Sequence, residues 1–217
     1  MIAVAEALPI LETSHRPAPI HSLTEIFAPH CQIAVAERQP VASIVHYVAY
    51  AAEHMGAGFR VSLNDGEHLP LHLLPSFPGR EDFAADIDFL VEMYGVLLGC
   101  PAVGLRLEVL GRAMCPRFHV DQTGIRLLCT YQGPGTEWLE EGAADRSKLG
   151  MSSAGIPDDR SGIIRDASGI HRIPAFAVAL LKGSGWQGNS GRGIIHRSPQ
   201  VPQSEKARVL LAMDAIW

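Results

Sequence analysis

The segment Cys115-Pro116-Arg117-Phe118-His119-Val120-Asp121 contains a His-x-Asp motif, and the predicted fold follows from this motif and its surroundings. In a β-strand, alternate side chains point to the same side, so His119 and Asp121 would face one way while Val120 faces the other. Two such side chains can hold one metal ion. A bare His-x-Asp motif also arises by chance in many chains, so the prediction depends on the residues that follow it.

Two later residues extend the pattern. His196 ends a short apolar run, and Arg208 begins a strand-like run. Two histidines and one carboxylate on one face of an octahedral ion leave three positions open, which is the facial triad typical of non-haem Fe(II) oxygenases. The open positions can hold a bidentate 2-oxo acid and O₂. We therefore predict that His119, Asp121 and His196 are both the metal ligands and the catalytic residues.

Three further residues are candidates for contacts with a cosubstrate: Arg208, Arg126 and Tyr131. Both faces of the run that begins at Arg208 are apolar, which indicates a buried strand, and a buried arginine needs an anionic partner. That partner could be the far carboxylate of a 2-oxo acid, which a planar guanidinium binds in a bidentate way, or a structural Asp or Glu. Arg126 also lies in an apolar strand and needs an anionic partner, which could be a second anion or a structural ion pair. The Tyr131 hydroxyl could contact the cosubstrate, or the ring could belong to the core.

The composition indicates a globular protein with a sizeable core. The chain has 217 residues, of which 47% are hydrophobic, and its formal net charge is −5. It contains no block of Lys or Arg residues, which disfavours a nucleic-acid partner bound through its phosphates. We expect the partner to be a small-molecule or peptide substrate.

The cysteines and the N-terminus favour a cytoplasmic location. None of the four cysteines forms a Cys-x-x-Cys pair, so a zinc ribbon or thioredoxin-like motif is not expected and a reduced compartment fits best. No apolar run reaches the roughly 18–20 residues that span a bilayer. The first residues include Glu6 and no basic segment, unlike a signal peptide. We therefore predict a soluble, cytoplasmic protein without a membrane segment.

The chain is predicted to contain a flexible N-terminal arm, residues 1–20, followed by a single domain, residues 21–217. Within this domain, residues 21–101 are mainly helical. From residue 102 to the end, the pattern changes to short alternating or apolar runs separated by Gly and Pro turns, which indicate β-strands. The C-terminal part is therefore expected to be a β-structure, and the N-terminal part to pack against it.

Two segments of the N-terminal part, 40–54 and 80–98, place apolar residues at helical spacing and are predicted helices. The polar stretch 140–162 has no periodicity and is predicted to be a long loop. Together with the strands, these features predict an α+β protein whose C-terminal half is a double-stranded β-helix (jelly roll) of two facing antiparallel sheets, buttressed by N-terminal helices. The predicted strands are 31–36, 58–63, 103–110, the segment around His119, 125–131, a short strand or hairpin within 163–173, 176–181, the segment around His196 and the run from Arg208.

The sequence resembles two groups of proteins. The stretches CPRFHVDQTGIRLLCTYQGPGTEWL, LLKG and IIHRSP…RVLLAMD resemble the bacterial domain-of-unknown-function family numbered 1826, from about residue 27 onward. Separately, the order His-x-Asp, distant His and later Arg is similar to that of the 2-oxoglutarate/Fe(II) dioxygenase superfamily. By position, this resemblance implies that His119, Asp121 and His196 hold the metal and that Arg208 anchors the cosubstrate.

The expected function is therefore an Fe(II)- and 2-oxoglutarate-dependent oxygenase, of the hydroxylase type. One alternative is a cupin-like metal-binding protein in metal homeostasis, without redox chemistry, because the same three ligands and a water suit Zn(II). A second alternative is a non-enzymatic interaction domain built on a degenerate jelly roll.

Overall fold

The computed structural model describes residues 20–150, 155–202 and 206–217. The predicted N-terminal arm therefore lies outside the described residues, except at residue 20, where the first helix begins. The α-helices are α1 (Ala42–Ala51), α2 (Arg80–Leu98) and α3 (Asp158–Ser161). The strands are β1 (Ile33–Ala36), β2 (Gly58–Asn64), β3 (Ala102–Leu110), β4 (Ile125–Gln132), β5 (Glu137–Leu139), β6 (Ile170–Arg172), β7 (Val178–Lys182), β8 (Ile195–Arg197) and β9 (Arg208–Ile216). Short 3₁₀ helices cover Ile20–Phe27, Ala52–His54, Leu71–Leu73, Glu141–Ala143, Arg146–Lys148 and Ala167–Gly169.

Helix α2 forms where the sequence predicts a helix, and its buried face explains why. The helix ends at Gly99, whose φ of 68° is a left-handed conformation that glycine adopts without strain. The predicted helix 40–54 appears as α1 followed directly by a 3₁₀ turn. In the parts of the chain that the structure describes, no helix is long and apolar enough to cross a membrane. The residues of α2 that repeat at three- and four-residue intervals and are buried include Phe83, Ile87, Leu90, Val91 and Tyr94.

The strands form two antiparallel sheets. The larger sheet has the order β1-β7-β4-β9-β3-β2, and the smaller sheet has the order β6-β5-β8. From β3 onward the chain passes repeatedly between them, because β3, β4, β7 and β9 belong to the larger sheet and β5, β6 and β8 to the smaller. This path is that of a double-stranded β-helix. The predicted α+β jelly-roll fold is therefore confirmed.

The first hundred residues also supply two strands of the larger sheet. Strand β1 pairs with β7, and β2 pairs with β3, in each case antiparallel. The N-terminal part thus extends the jelly-roll sheet at both edges as well as covering it with helices. Strands β1 and β2 are therefore the two edge strands of the larger sheet.

The two faces of the larger sheet have different surroundings. Leu127 and Tyr131 of β4 pack with the helices in the main core, on what we call the outer face. Leu128, between them in sequence, points to the opposite side, which we call the inner face, and packs with Leu210 and Ala212 of β9. This alternation is what a strand buried on both sides requires. The inner face is directed toward the smaller sheet.

The segment around His119 departs from the predicted strand. It makes a single antiparallel bridge, between His119 and His196 in β8, and its neighbours are turns and irregular backbone. On either side of this bridge the β8 backbone bonds elsewhere, since the Ile194 amide donates to the Lys182 carbonyl and the Ser198 amide to the Cys115 carbonyl, which accounts for the short pairing. One bridge is nevertheless enough to place this segment beside the smaller sheet.

Candidate metal centre

His119 and His196 lie side by side because their backbones pair. The amide of each donates to the carbonyl of the other, at 3.0 Å from His119 and 2.9 Å from His196. Their ring centroids are 4.5 Å apart. Asp121 lies beside both rings, and one ligand atom from each of the three residues lies within 4.8 Å of the others. The structure therefore brings together the three residues that the sequence pattern selects.

Both histidines direct the same ring nitrogen toward the carboxylate. His119 Nε2 is 3.6 Å from Asp121 Oδ1, and His196 Nε2 is 3.4 Å from Asp121 Oδ2. The other nitrogen of each ring faces a backbone carbonyl, with Nδ1 of His119 2.9 Å from Arg117 O and Nδ1 of His196 3.2 Å from Ile194 O. A carbonyl oxygen only accepts, so each Nδ1 donates its hydrogen and each neutral ring keeps a lone pair on Nε2. Metal-binding histidines are oriented by the same kind of hydrogen bond.

Asp121 is ionised, and a hydrogen bond from Arg126 fixes the orientation of its carboxylate. Arg126 Nη1 donates to Asp121 Oδ2 at 2.5 Å, and Asp214 fixes Arg126 through two further bonds of 2.8 Å each. Burial opposes ionisation of Asp121, but the adjacent His119 and His196 rings, which donate to it when they are protonated, and the charge of Arg126 outweigh it and hold the pKa of this carboxyl well below its usual range. Asp121 is therefore a carboxylate with a fixed orientation, as a metal ligand must be.

The structure separates the other two candidates, Arg126 and Tyr131. The Arg126 guanidinium lies beside the triad, but its hydrogen bonds go to the two carboxylates Asp121 and Asp214. Tyr131 lies on the outer face, where its hydroxyl donates to Asp86 Oδ2 at 2.6 Å and its ring meets Phe83 edge-on. The structure therefore does not bring Tyr131 to the triad, because β4 turns this position toward the helices.

Arg208 is buried on the inner face without an acidic partner. Its side chain is 1% exposed, and Nη2 donates to Thr136 Oγ1 at 2.8 Å and, more weakly, to Thr130 Oγ1 at 3.4 Å. Neither Nε nor Nη1 has a hydrogen-bond partner among the described residues. Burial lowers the pKa of Arg208 to about 10, although the charge of Glu108 opposes this shift. The guanidinium thus has no hydrogen-bonded carboxylate among the described residues, although Glu108 acts on it through its charge.

A cavity of about 130 Å³ lies between the two sheets beside the triad, and Arg208 is not among its lining residues. His119, Asp121 and His196 line it, together with Thr136, the residue that holds Arg208. Only some of the residues that line this cavity were predicted from the sequence. Glu108 could have been found from the alternation of β3, which places it on the inner face with Arg106. Thr136 follows a Gly-Pro-Gly turn and gives no such signal. The lining also includes Glu108, Leu128, Leu210 and Ala212.

The donor set fits a divalent first-row metal ion. Two neutral imidazole nitrogens and one carboxylate on one side of an ion suit Fe(II), and the same set with a water suits catalytic Zn(II). The hydrogen bonds from each Nδ1 to a backbone carbonyl and the ion pair between Arg126 and Asp121 fix the orientation of these side chains, as metal ligands require. His119, Asp121 and His196 would therefore hold the metal with their existing orientation, and the choice of chemistry depends on the cavity around them.

The fold and the candidate site define a jelly-roll protein with a centre of two histidines and one carboxylate. The chain belongs to the family described as "Protein of unknown function (DUF1826)", whose model matches residues 18–214. The family resemblance of the sequence is thereby confirmed. No curated protein shows significant similarity to the chain.

Several solved structures are similar in fold. A dioxygenase for auxin oxidation from rice has a TM-score of 0.47 and 13% identity, covering 85% of this chain and 73% of that chain. A prolyl-4-hydroxylase from Pseudomonas putida has a TM-score of 0.47 and 12% identity, covering 93% of this chain and 96% of that chain. A non-heme alpha ketoglutarate dependent carbocyclase from nogalamycin biosynthesis has a TM-score of 0.43 and 11% identity, covering 85% of this chain and 79% of that chain. Likenesses at this level assign no reaction to this chain.

Proposed function

We propose that this protein is an Fe(II)- and 2-oxoglutarate-dependent oxygenase of the hydroxylase type. The observation that carries the proposal is Arg208, a buried guanidinium without an acidic partner among the described residues, on the inner face that also borders the triad. Burial of an unpaired charge costs several kcal/mol in a protein interior, so a chain keeps one only where something else compensates it. A ligand carboxylate supplies that compensation.

The two ends of 2-oxoglutarate match the two ends of the site. Its distal carboxylate suits Arg208, because a guanidinium forms charge-assisted hydrogen bonds with a carboxylate, and Nε and Nη1 of Arg208 are donors without a partner among the described residues. Its 2-oxo acid end suits a metal with open positions beside His119, Asp121 and His196. Thr136 would keep the guanidinium in place through Nη2. A ligand with only one acidic end would leave one of these two positions unused.

The side chains around the metal would orient and isolate the reaction. When bound, iron and 2-oxoglutarate supply the oxidative chemistry, in which one O₂ converts substrate C–H and 2-oxoglutarate into C–OH, succinate and CO₂. Arg126 would fix the Asp121 carboxylate through its bond to Oδ2. The apolar wall formed by Leu128, Leu210 and Ala212 would limit water in the cavity. Of the remaining candidates for cofactor binding, Arg126 would act through Asp121, and Tyr131 would stabilise the outer face.

The zinc-binding alternative uses the same three ligands and differs in what it requires of the cavity. A protein that only stores or delivers a metal needs His119, Asp121 and His196, but it gives Arg208 no ligand to bind. The buried guanidinium therefore favours the oxygenase. A non-enzymatic interaction domain would need neither the triad nor the cation.

Turnover of 2-oxoglutarate tests this proposal. We expect the Fe(II)-loaded protein in air to form succinate slowly without added substrate, and the His119→Ala variant to form none, because a two-ligand site loses the metal. His68→Ala is the matched control, since the His68 side chain is 83% exposed and does not line the cavity. Equal succinate formation in wild type and His119→Ala would refute the assignment. A wild-type protein that retains one Zn(II) and forms no succinate would support the metal-binding alternative.

A further inference from the structure

Glu108 is a second charge buried on the inner face, and its Oε2 has no hydrogen-bond partner among the described residues. It lies on β3, lines the cavity with His119 and Asp121, and is 6% exposed. The nearest cations are Arg60 Nη2 at 3.7 Å and Arg106 Nη1 at 3.8 Å, both from Oε1 and both beyond hydrogen-bond length. The carboxylate is therefore buried but not satisfied.

Neighbouring carboxylates show what a structural acid looks like in this protein. Asp214 accepts two bonds of 2.8 Å from Arg126, and Asp158 accepts bonds of 2.9 Å from the Phe118 amide and from Arg197. Glu108 has no comparable bond. Leaving a buried acceptor unsatisfied costs about 1–3 kcal/mol, and more when it is charged. A role in stability alone does not explain why a carboxylate occupies this position.

We propose that Glu108 binds a primary ammonium group of the substrate. A carboxylate only accepts hydrogen bonds, and an ammonium offers three donors with the opposite charge. Such charge-assisted bonds are roughly twice as strong as those with neutral donors. The carboxylate turns easily about its Cγ–Cδ bond, so either oxygen can face the cavity. The inference rests on the proposed function, in that the amine is the molecule to be hydroxylated.

The positions of Glu108 and Arg208 assign them to different ligands. In the pairing of β3 with β9, Glu108 is opposite Leu210, and Arg208 is opposite Leu110, so the two charges are diagonal neighbours on the inner face. No ion pair joins them in the described structure, and each retains atoms without partners. Arg208 would take the distal carboxylate of 2-oxoglutarate, while Glu108 would select an amine. The amine belongs to a free small molecule or to a lysine side chain of a peptide.

The melting temperature distinguishes a binding role of Glu108 from a structural one. We expect Glu108→Gln to raise it by about 2–4 °C, because the substitution removes, at constant size, a buried charge that accepts no hydrogen bond from Arg60 or Arg106. The matched control is Asp214→Asn, which weakens two bonds to Arg126 and should lower the melting temperature. A fall for Glu108→Gln as large as that for Asp214→Asn would show that Arg60 and Arg106 are its true partners and would overturn the proposal.

Calorimetric titration then measures recognition of the amine directly. The probes are two pairs that differ at the amine: 1-butylamine with 1-butanol, and the blocked peptide acetyl-Gly-Lys-Gly-amide with its Nε-acetyllysine counterpart. We expect wild type to bind the amine of at least one pair and not its partner, and Glu108→Gln to bind that amine at least about tenfold more weakly. Preference for butylamine identifies a free amine, and preference for the lysine peptide identifies a peptide substrate.

The outcomes separate this inference from the proposed function. If wild type binds neither amine, or if Glu108→Gln binds it equally well, the ammonium assignment is overturned. Parallel titration with 2-oxoglutarate reports on Arg208 in the same samples. Normal 2-oxoglutarate binding by a wild type that binds neither amine would refute only the inference, whereas amine binding through Glu108 without any 2-oxoglutarate binding would refute only the oxygenase.

Discussion

Two arginines, the partly buried Arg38 and the fully buried Arg208, lie on opposite faces of the same sheet and differ in their partners. On the outer face, Arg38 donates to both oxygens of Asp86, at 2.7 and 3.2 Å, and to the Phe176 carbonyl at 3.1 Å. Tyr131 donates to the same Asp86 carboxylate. On the inner face, Arg208 has only threonine hydroxyls as partners among the described residues. The Arg38 guanidinium is thus paired with a carboxylate, whereas the Arg208 guanidinium is not.

The pKa values express this difference. Burial disfavours the charged form of Arg38, but the hydrogen bonds to Asp86 more than compensate and raise the pKa above its usual value. Burial lowers the pKa of Arg208 to about 10, and no hydrogen-bonded acid restores it. A satisfied buried charge joins the helices to the sheet, whereas an unsatisfied one is suited to bind a ligand. This comparison is the basis of the predictions below.

The largest expected effect comes from breaking the satisfied pair. Asp86→Ala should lower the free energy of unfolding by about 3–5 kcal/mol, because it leaves the Arg38 guanidinium buried without its carboxylate. Urea denaturation followed by circular dichroism measures this change. Asp82→Ala, at an exposed position of α2, is the control and should change the stability by less than about 0.5 kcal/mol. Equal stability of the two variants would show that the outer-face network does not stabilise the fold.

The opposite sign is expected on the inner face. Arg208→Met replaces a buried cation that has no hydrogen-bonded carboxylate by an apolar side chain of similar length, and should raise the free energy of unfolding by about 1–3 kcal/mol. The same urea titration, in the absence of any carboxylate ligand, provides the test. A loss of stability comparable to that of Asp86→Ala would mean that Arg208 is a structural residue and would remove the contrast between the two faces.

A smaller effect is expected at the two ion pairs Asp121–Arg126 and Arg126–Asp214, which connect a proposed metal ligand to strand β9. Asp214→Asn should weaken Mn(II) binding by about tenfold, because the support of a ligand carboxylate typically affects metal affinity by about 10–100-fold. Equilibrium dialysis measures the affinity, and Glu67→Gln, at an exposed position outside these ion pairs, is the control. Unchanged Mn(II) affinity in Asp214→Asn would show that Arg126 holds Asp121 without help.

Local patterns were sufficient to predict many of the elements and part of the site. The spacing of apolar residues located α2, and short alternating or apolar runs located β3, β4 and β9. The His-x-Asp motif, read with His196, selected the three residues that the structure brings within 4.8 Å of one another. These features could be predicted because each depends on residues close in sequence or on side chains of an unusual chemical type.

The pairing of distant residues could not be predicted in the same way. Whether Arg126 meets a carboxylate depends on β4 lying beside β9, which brings Asp214 opposite it. Whether Tyr131 faces the site depends on which side of β4 the helices cover. The lack of an acidic partner for Arg208 among the described residues follows only from the complete arrangement of both sheets. Sequence identifies a charge in a buried strand, and the three-dimensional fold decides whether it is compensated.

The central claim is that Arg208 and the triad hold opposite ends of one ligand. The most direct measurement is titration of the Fe(II)-loaded protein with 2-oxoglutarate in the absence of O₂, followed by the metal-to-ligand charge-transfer band. Wild type should develop this band, and Arg208→Ala should keep its Fe(II) but bind 2-oxoglutarate about 2–5 kcal/mol more weakly. Absence of the band in Fe(II)-loaded wild type at millimolar 2-oxoglutarate, or equal affinity in Arg208→Ala, would contradict the claim.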